Sequence, residues 1–321
     1  MSFVRTVLGD IDPADLGPTD AHAHLVIAGG KPVELEPDFL LADLERALAE
    51  LAEAKGAGLR AVVDAMPCDA GRDVRLLAEL SRRSGVHVVA PTGLHRARYY
   101  DDRHWSLSAS EEELADLFVA DIEVGIDERD YNGPLVRRAP HRAGVIKVAG
   151  SLGRLTDLER RIFAAAAAAQ RRTGCPILTH CQDGTAGLEQ LRVLADGGAD
   201  LRHVVLSHTD KIVDRGYHRE LLSTSAAVEY DQGFRWPAGA ENGTVTLLRW
   251  MVEDGFGERL MLGTDAARQG YWHAYGGEPG LVFLVGPFAA TLAAAGIGPA
   301  EREALLVANP ARIYAFGAVA S

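Results

Sequence analysis

Eight apolar runs of strand length alternate with helical patterns along this chain, which predicts an α/β fold with its parallel strands closed as a (β/α)8 TIM barrel. Two further observations favour a barrel over an open, doubly wound sheet. No Gly-x-Gly-x-x-Gly follows any strand-like run, and the residues suited to chemistry fall at the ends of several different runs. No composition shift, linker or internal repeat marks a boundary. Residues 1–321 therefore read as a single barrel domain with a short N-terminal extension over about residues 1–16.

In that extension Phe3 to Leu8 reads as a hairpin strand. The first barrel strand runs into Thr19-Asp-Ala-His-Ala-His-Leu25. A helix is expected from about residue 38 to 55, because Phe39, Leu40, Leu44, Leu48 and Leu51 recur at helical spacing before Gly56 and Gly58 stop it. Residues 59–66 form the second strand, 73–84 the second helix and 86–94 the third strand. A polar, aromatic loop with Arg96, Arg98, Tyr99, Tyr100 and Trp105 follows, and Ser110 then opens the third helix as an N-cap ahead of an acidic first turn. The fourth strand is 144–150, and its helix, about 156–172, contains six successive alanines. Alanine has the highest helix propensity and a small side chain, so this tract reads as a helix packed closely on the sheet. Residues 175–181, 203–210, 226–231 and 259–265 form the fifth to eighth strands, and a last helix over 299–316 closes the chain.

A hydrophobic content of 47% supports a sizeable core, while a formal charge of −12 argues against nucleic acid and anionic membrane as partners. A small-molecule substrate remains, including an anionic one, because a site needs few local cations. Cys68, Cys175 and Cys181 are an odd, sparse set without CxxC spacing, which fits a reducing compartment. The first residues lack the apolar run of a signal peptide and no stretch is long enough to span a bilayer, so a cytoplasmic location is expected. A homodimer is left open.

His22 and His24, two apart on a strand, point to the same side, and neutral imidazole is a good ligand for zinc and similar ions. Lys147 lies among Val145, Ile146, Val148 and Ala149; burial opposes its charge, so it needs a partner, a lowered pKa or a modification. His180, His208 and Asp265 end strands five, six and eight. Singly, each has a plainer reading, as a hydrogen-bonded core histidine or a helix-capping aspartate. Ligand-type residues at five strand ends together point to metal.

The segments Ala-His-Ala-His (21–24), Gly-Val-Ile-Lys-Val-Ala (144–149), Ile-Leu-Thr-His (177–180), Leu-Ser-His-Thr-Asp (206–210) and Leu-Gly-Thr-Asp (262–265) carry a resemblance that Tyr275-Gly-Gly and Asn309-Pro-Ala-Arg-Ile extend. Over nearly its whole length the chain resembles the phosphotriesterase-like branch of the amidohydrolase superfamily. The resemblance implies that carbon dioxide carboxylates Lys147, and that the carbamate bridges two divalent ions, zinc or else manganese or cobalt. His22, His24 and Asp265 would hold the first ion, and His180 and His208 the second. Six ligand groups exceed what one tetrahedral zinc needs, which agrees. It further implies that a hydroxide bridging the ions attacks an ester-like carbonyl or phosphoryl centre, with Asp265 carrying the proton to the leaving group. Asp210 reads either as a relay or orienting residue behind the ions or as an N-cap of the next helix.

Two departures narrow the function. The family's first motif usually reads Thr-His-Glu-His, whereas both non-ligand positions here are alanine. At the end of strand seven Gln232 stands where phosphotriesterases have a relay histidine and many lactonases an arginine, which argues against a specialised phosphotriesterase. The loop 265–277 resembles members that open phosphorylated sugar lactones, where an arginine and a tyrosine three residues on bind phosphate; Arg268 and Tyr271 match that spacing. Arg235, in Arg-Trp-Pro, resembles a basic residue after strand seven in the same members. Arg268 could instead make a surface ion pair, and Tyr99 with its loop neighbours either lines the pocket or meets a second subunit. The expectation is a binuclear metal lactonase for an anionic or sugar-derived lactone. A metal carboxylesterase or amide hydrolase with side phosphotriesterase activity is the alternative. A non-catalytic binding protein on the same barrel is more remote, since all six ligand-type residues are kept.

Overall fold

The computed structural model describes residues 2–239 and 241–319. The N-terminal extension forms an antiparallel hairpin of β1 (Val4–Thr6) and β2 (Gly9–Ile11). The barrel strands are β3 (Thr19–Ala23), β4 (Ala61–Asp64), β5 (His87–Val89), β6 (Pro91–Leu94), β7 (Val145–Gly150), β8 (Ile177–Cys181), β9 (Val204–Ser207), β10 (Ala227–Tyr230) and β11 (Leu260–Leu262). All pair in parallel, in one arc ordered β3-β4-β5 and a second ordered β6 to β11. The expected third strand is thus divided at Ala90. Pro91 has no N–H to donate, so pairing moves there from β4 to β7, whose Val145 it faces. Cys68 N–H to Gly93 O, at 3.1 Å, links the two arcs. At the other joint the N–H groups of Thr264 and Asp265 both donate to His22 O, at 3.1 and 2.7 Å.

The sixth and eighth strands are shorter than expected because their ends leave the extended conformation: His208 has φ 64° and Asp265 φ 47°. β3 carries a bulge, since Asp20 to Ala23 spans the same stretch as Val62 to Asp64 on β4. The extra residue changes which side chains face inward, so the two histidines stand above Ala21.

Between the strands lie α1 (Gly30–Leu35), α2 (Leu44–Gly56), α3 (Val74–Ser84), α4 (Glu111–Glu123), α5 (Asp157–Thr173), α6 (Gly187–Asp196), α7 (Arg215–Ser223) and α8 (Gly243–Glu253). α1 was not expected, and the first long helix begins later than residue 38. Asp43 is its N-cap, accepting from the N–H of Glu45 and Arg46, while residues 37–39 form a 3-10 turn that leaves Phe39 at the mouth of the barrel. Ser110–Glu113 and Thr156–Glu159 are capping boxes that start α4 and α5. The alanine tract packs α5 against α4 and β7, with Ala165, Ala166, Ala167 and Ala169 fully buried. After α9 (Pro287–Ala294) the last expected helix divides into α10 (Pro299–Glu303), a π-helical turn at Ala304–Ala308, and α11 (Asn309–Ile313). Pro310, which lacks the N–H of a regular turn, sits just after the π-helical segment.

Inside the barrel, Val63, Val145, Leu178, Val205, Ala227 and Met261 form an apolar floor, closed below by Val4, Leu16 and Tyr314. The Tyr314 hydroxyl donates to Ala21 O at 2.8 Å. The three cysteines are buried and free, and no helix among the described residues is long and apolar enough to cross a membrane.

Gly93 (φ 99°) lets strand β6 approach β7 beside Lys147; a Cβ there would lie 1.9 Å from Lys147 O. Gly93→Ala is expected to cost about 3 kcal/mol in chemical denaturation, through both φ and overlap. A loss under ~1 kcal/mol would show that the contact relaxes freely.

Candidate active site

Above the apolar floor the inward-facing residues become polar. Lys147 stands one inward position above Val145 in β7, its Nζ 3.5 Å from His22 Nε2. Burial pulls the ammonium down to about 8, against the attraction of Asp265, Glu229 and Asp231. His22 Nδ1 lies 3.2 Å from Glu229 Oε2, which takes the ring's N–H and leaves the Nε2 lone pair facing the cavity. Burial, then Lys147 and His208, hold His22 well below its usual range, so the ring is neutral. His24 Nε2 is 3.4 Å from Asp265 Oδ1. His180 bonds Gln182 Oε1 through Nε2 at 3.0 Å, which frees Nδ1 as the acceptor; burial and His208 keep this ring neutral too. His208 packs edge-on against His180, with ring centroids 4.4 Å apart.

Among the described residues, two groups have ligand atoms within 4.8 Å of one another: His22, His24 and Asp265, and His22, His208 and Asp231. The first is the trio expected on one ion. The second brings in Asp231, which was not foreseen, and His180 stands outside both. Asp265 would be raised by burial, but His208, His24, Arg235 and His22 outweigh it and keep the carboxyl well below the usual range.

Beneath these groups lies a set of carboxylates without access to water. Asp20 accepts from the N–H and hydroxyl of Thr264 at 3.1 and 2.7 Å, and burial pushes it to about 7. Glu229 is raised well above its normal range by burial and by Asp231, and its Oε1 has no hydrogen bond. Gly263 makes room for it, since a Cβ there would lie 2.3 Å from that oxygen. Asp210, pushed to about 7 by burial and Asp231, accepts from Gln232 N–H at 2.9 Å and from the Thr244 hydroxyl. It ties the exit of β10 to α8 and caps no helix; Asp214 is the N-cap of α7. Gln232, noted at the relay position, donates its side-chain amide to Asp231.

This donor set fits divalent cations. The neutral rings of His22 and His180 present lone pairs to one cavity, and among the described residues His24 Nδ1 and His208 Nδ1 are buried without a hydrogen bond. For His208, Asp231 Oδ2 is 2.7 Å away but off the direction in which an N–H would point. Asp20, Asp210, Glu229, Asp231 and Asp265 are set against Lys147 and Arg235, and buried acids in excess of bases call for added positive charge.

The substrate side differs from expectation. Arg235 donates to Asp231 O (2.6 Å), Thr264 O (3.0 Å) and Asp265 O (2.7 Å), reaches Asp265 Oδ2 at 3.3 Å, and stacks on Phe234 and Tyr271. It holds Asp265 in place. Arg268 pairs with Glu36, approaches Asp38 at 3.9 Å and lies over Phe39, so the ion-pair reading is the one observed. Tyr271 and Tyr99 do line the cavity. Tyr99 meets the edge of His95, whose Nδ1 accepts from Arg96 N–H at 2.8 Å. Tyr100 and Trp105 lie outside that lining, Tyr100 donating to Cys68 O and Trp105 packing on Tyr131.

Glu229, Asp231, His95 and Lys211 escaped the sequence reading. Glu229 and Asp231 carried a usable signal, being acids two apart in an apolar strand, the same pattern that marks His22 and His24.

The Phosphotriesterase family matches residues 2–314. A phospho-furanose lactonase of Mycoplasmopsis synoviae (strain 53) is 34% identical over 324 residues, covering 98% of this chain and 92% of its own. The crystal structure of an amidohydrolase from Mycoplasma synoviae superposes with a TM-score of 0.92 at 33% identity, covering 98% of this chain and 92% of that one. The lactonase Lmo2620 from Listeria monocytogenes does so with a TM-score of 0.90 at 26% identity, covering 98% of this chain and 100% of that one. A profile match along almost the entire barrel, and relatives that superpose over its full length, establish that the chain belongs to the Phosphotriesterase family and is a hydrolase.

Proposed function

We propose that this hydrolase is a binuclear metal-dependent lactonase that opens an anionic, sugar-derived lactone, with a phosphorylated furanose lactone as the leading candidate. The observation that carries the reading is the convergence of His22, His24, Lys147, His180, His208 and Asp265 on one cavity, in a chain whose relatives include a phospho-furanose lactonase. His22, His24 and Asp265 would hold one ion, His180 and His208 the other. Lys147 would bridge them as a carbamate, its amine nitrogen bonding to carbon dioxide and releasing a proton. An amine lowered to about 8 is roughly a tenth neutral at pH 7, far more than an exposed lysine, and only the neutral form reacts. Zinc suits the imidazole-rich set, with manganese or cobalt as alternatives.

When bound, the two ions supply Lewis acidity and a water acidic enough to be a nucleophile near neutral pH. The chain's own residues do the rest. Asp265, kept ionised beside Arg235 and the surrounding imidazoles, accepts a proton and passes it to the ring oxygen as the lactone C–O bond breaks, yielding a hydroxy acid. Arg235 fixes that carboxylate by bonding both its oxygen and its main chain. Glu229 fixes the His22 tautomer that a ligand needs.

Purified protein supplied with zinc or manganese, screened against phosphorylated and free sugar lactones, is expected to release acid from at least one. Turnover of some other ester or amide with none of any lactone would overturn the reading. Lys147→Ala should hold less than one ion per chain and lose about 10³-fold in kcat, with partial rescue by a small carboxylic acid, while circular dichroism stays unchanged. Asp265→Asn should keep some metal but lose about 10²-fold or more in kcat. Glu229→Leu should weaken metal affinity about 10- to 100-fold by chelator competition.

A further inference from the structure

The segment between β11 and α9 contributes Tyr271 to the cavity wall and then turns away to meet α2. It is tied into a closed loop: Gly277 N–H donates to Trp272 O at 2.9 Å, Glu278 N–H to Gly270 O at 3.0 Å and Gly280 N–H to Tyr271 O at 2.9 Å. Trp272 is buried within it, its Nε1–H donating to Ala266 O at 3.0 Å.

α2 receives this loop along one face, on which Arg46, Glu50 and Glu53 follow at intervals of four and three residues. Arg46 donates to Ala274 O at 3.0 Å and lies over the Tyr275 ring, and Glu53 Oε2 is 2.9 Å from His273 Nδ1. Glu50, between them, is only 1% exposed, and its two oxygens take Ala274 N–H at 2.9 Å and Leu281 N–H at 2.8 Å. One donor lies on the outgoing limb of the loop and the other on the return. A buried carboxylate is costly, and an apolar side chain would pack a helix against a loop more cheaply. What the carboxylate adds is a pair of acceptors at fixed separation, which sets the two limbs relative to each other. Leu281 directly follows Gly280, the residue that bonds Tyr271 O, so one residue and one hydrogen bond connect Glu50 to the cavity wall. No described residue of α2 lines the cavity itself.

The geometry points to Glu50 as a positioning residue of the active site, which acts through Leu281 and Gly280 to set where Tyr271 stands. The kinetic test rests on the lactone reading above, and the exchange test does not. With metal-loaded protein and a phosphorylated furanose lactone, Glu50→Leu is expected to raise KM about tenfold while kcat and metal content stay within twofold. In a Tyr271→Ala background the same change should move KM less than twofold, because the residue it acts through is gone. Glu50→Gln keeps the shape and one acceptor, so it should fold if Glu50→Leu does not and show a smaller rise in KM. Equal KM effects with and without Tyr271, or a fall in kcat at constant KM, would overturn the assignment. In deuterium oxide, amide exchange over residues 270–281 should be about tenfold faster in either Glu50 variant, with residues 96–110 unchanged. Unchanged exchange over 270–281 would overturn it even if lactones are hydrolysed. If only another ester or amide is turned over, the lactone reading fails and the same KM comparison is made with that compound.

Discussion

Charge without water governs the open end of this barrel. Lys147, Asp20, Glu229 and Asp231 are all almost completely buried, and an isolated ion in such surroundings would cost several kcal/mol. None of them is tolerable alone; each is present because the others are. The groups around them follow from that requirement. Gly93 and Gly263 are small where the backbone must come close to Lys147 and Glu229. Thr264 satisfies Asp20 with both its N–H and its hydroxyl, and Arg235 neutralises Asp265 while bonding its carbonyl. An excess of carboxylates and, among the described residues, two buried ring nitrogens without hydrogen bonds remain, a donor set that fits added cations.

The barrel supplies this cluster by separating two environments along its axis. Inward positions near the hairpin and Tyr314 hold aliphatic side chains, and the next inward positions on the same strands hold Lys147, His180 and Glu229. The apolar floor excludes water from below, so the electrostatic effects above it are stronger than they would be at a surface. The bulge in β3 belongs to the same arrangement, because it lifts two imidazoles over Ala21 into the polar layer.

Features with a short-range signature were legible in the sequence. Alternation placed His22 and His24 together, an apolar run around a lysine exposed Lys147, and Gly and capping residues located most helices. Where competing local signals existed, the reading went astray. Leu40, Leu44 and Leu48 keep a spacing of four that extends the expected helix back to about residue 38, yet residues 37–39 form a 3-10 turn with Phe39 at the cavity mouth, and the helix starts at Leu44 behind its Asp43 cap. Pro91 marks the break between β5 and β6, but the apolar residues Val88, Val89 and Ala90 before it and Leu94 beyond it read as one strand. Contacts between distant segments had no local trace. Glu36 lies 232 residues from Arg268, and nothing near Arg268 in sequence tells that its guanidinium is taken.

His208 and Asp265 each hold a left-handed backbone conformation that side-chain-bearing residues rarely adopt, at about 1–3 kcal/mol apiece. Glycine would relieve both turns and remove the side chains that the proposed reaction uses. A library of variants ranked by thermal endurance alone would therefore drift toward losing them. Any effort to harden this fold for use at high temperature has to leave its least comfortable residues untouched.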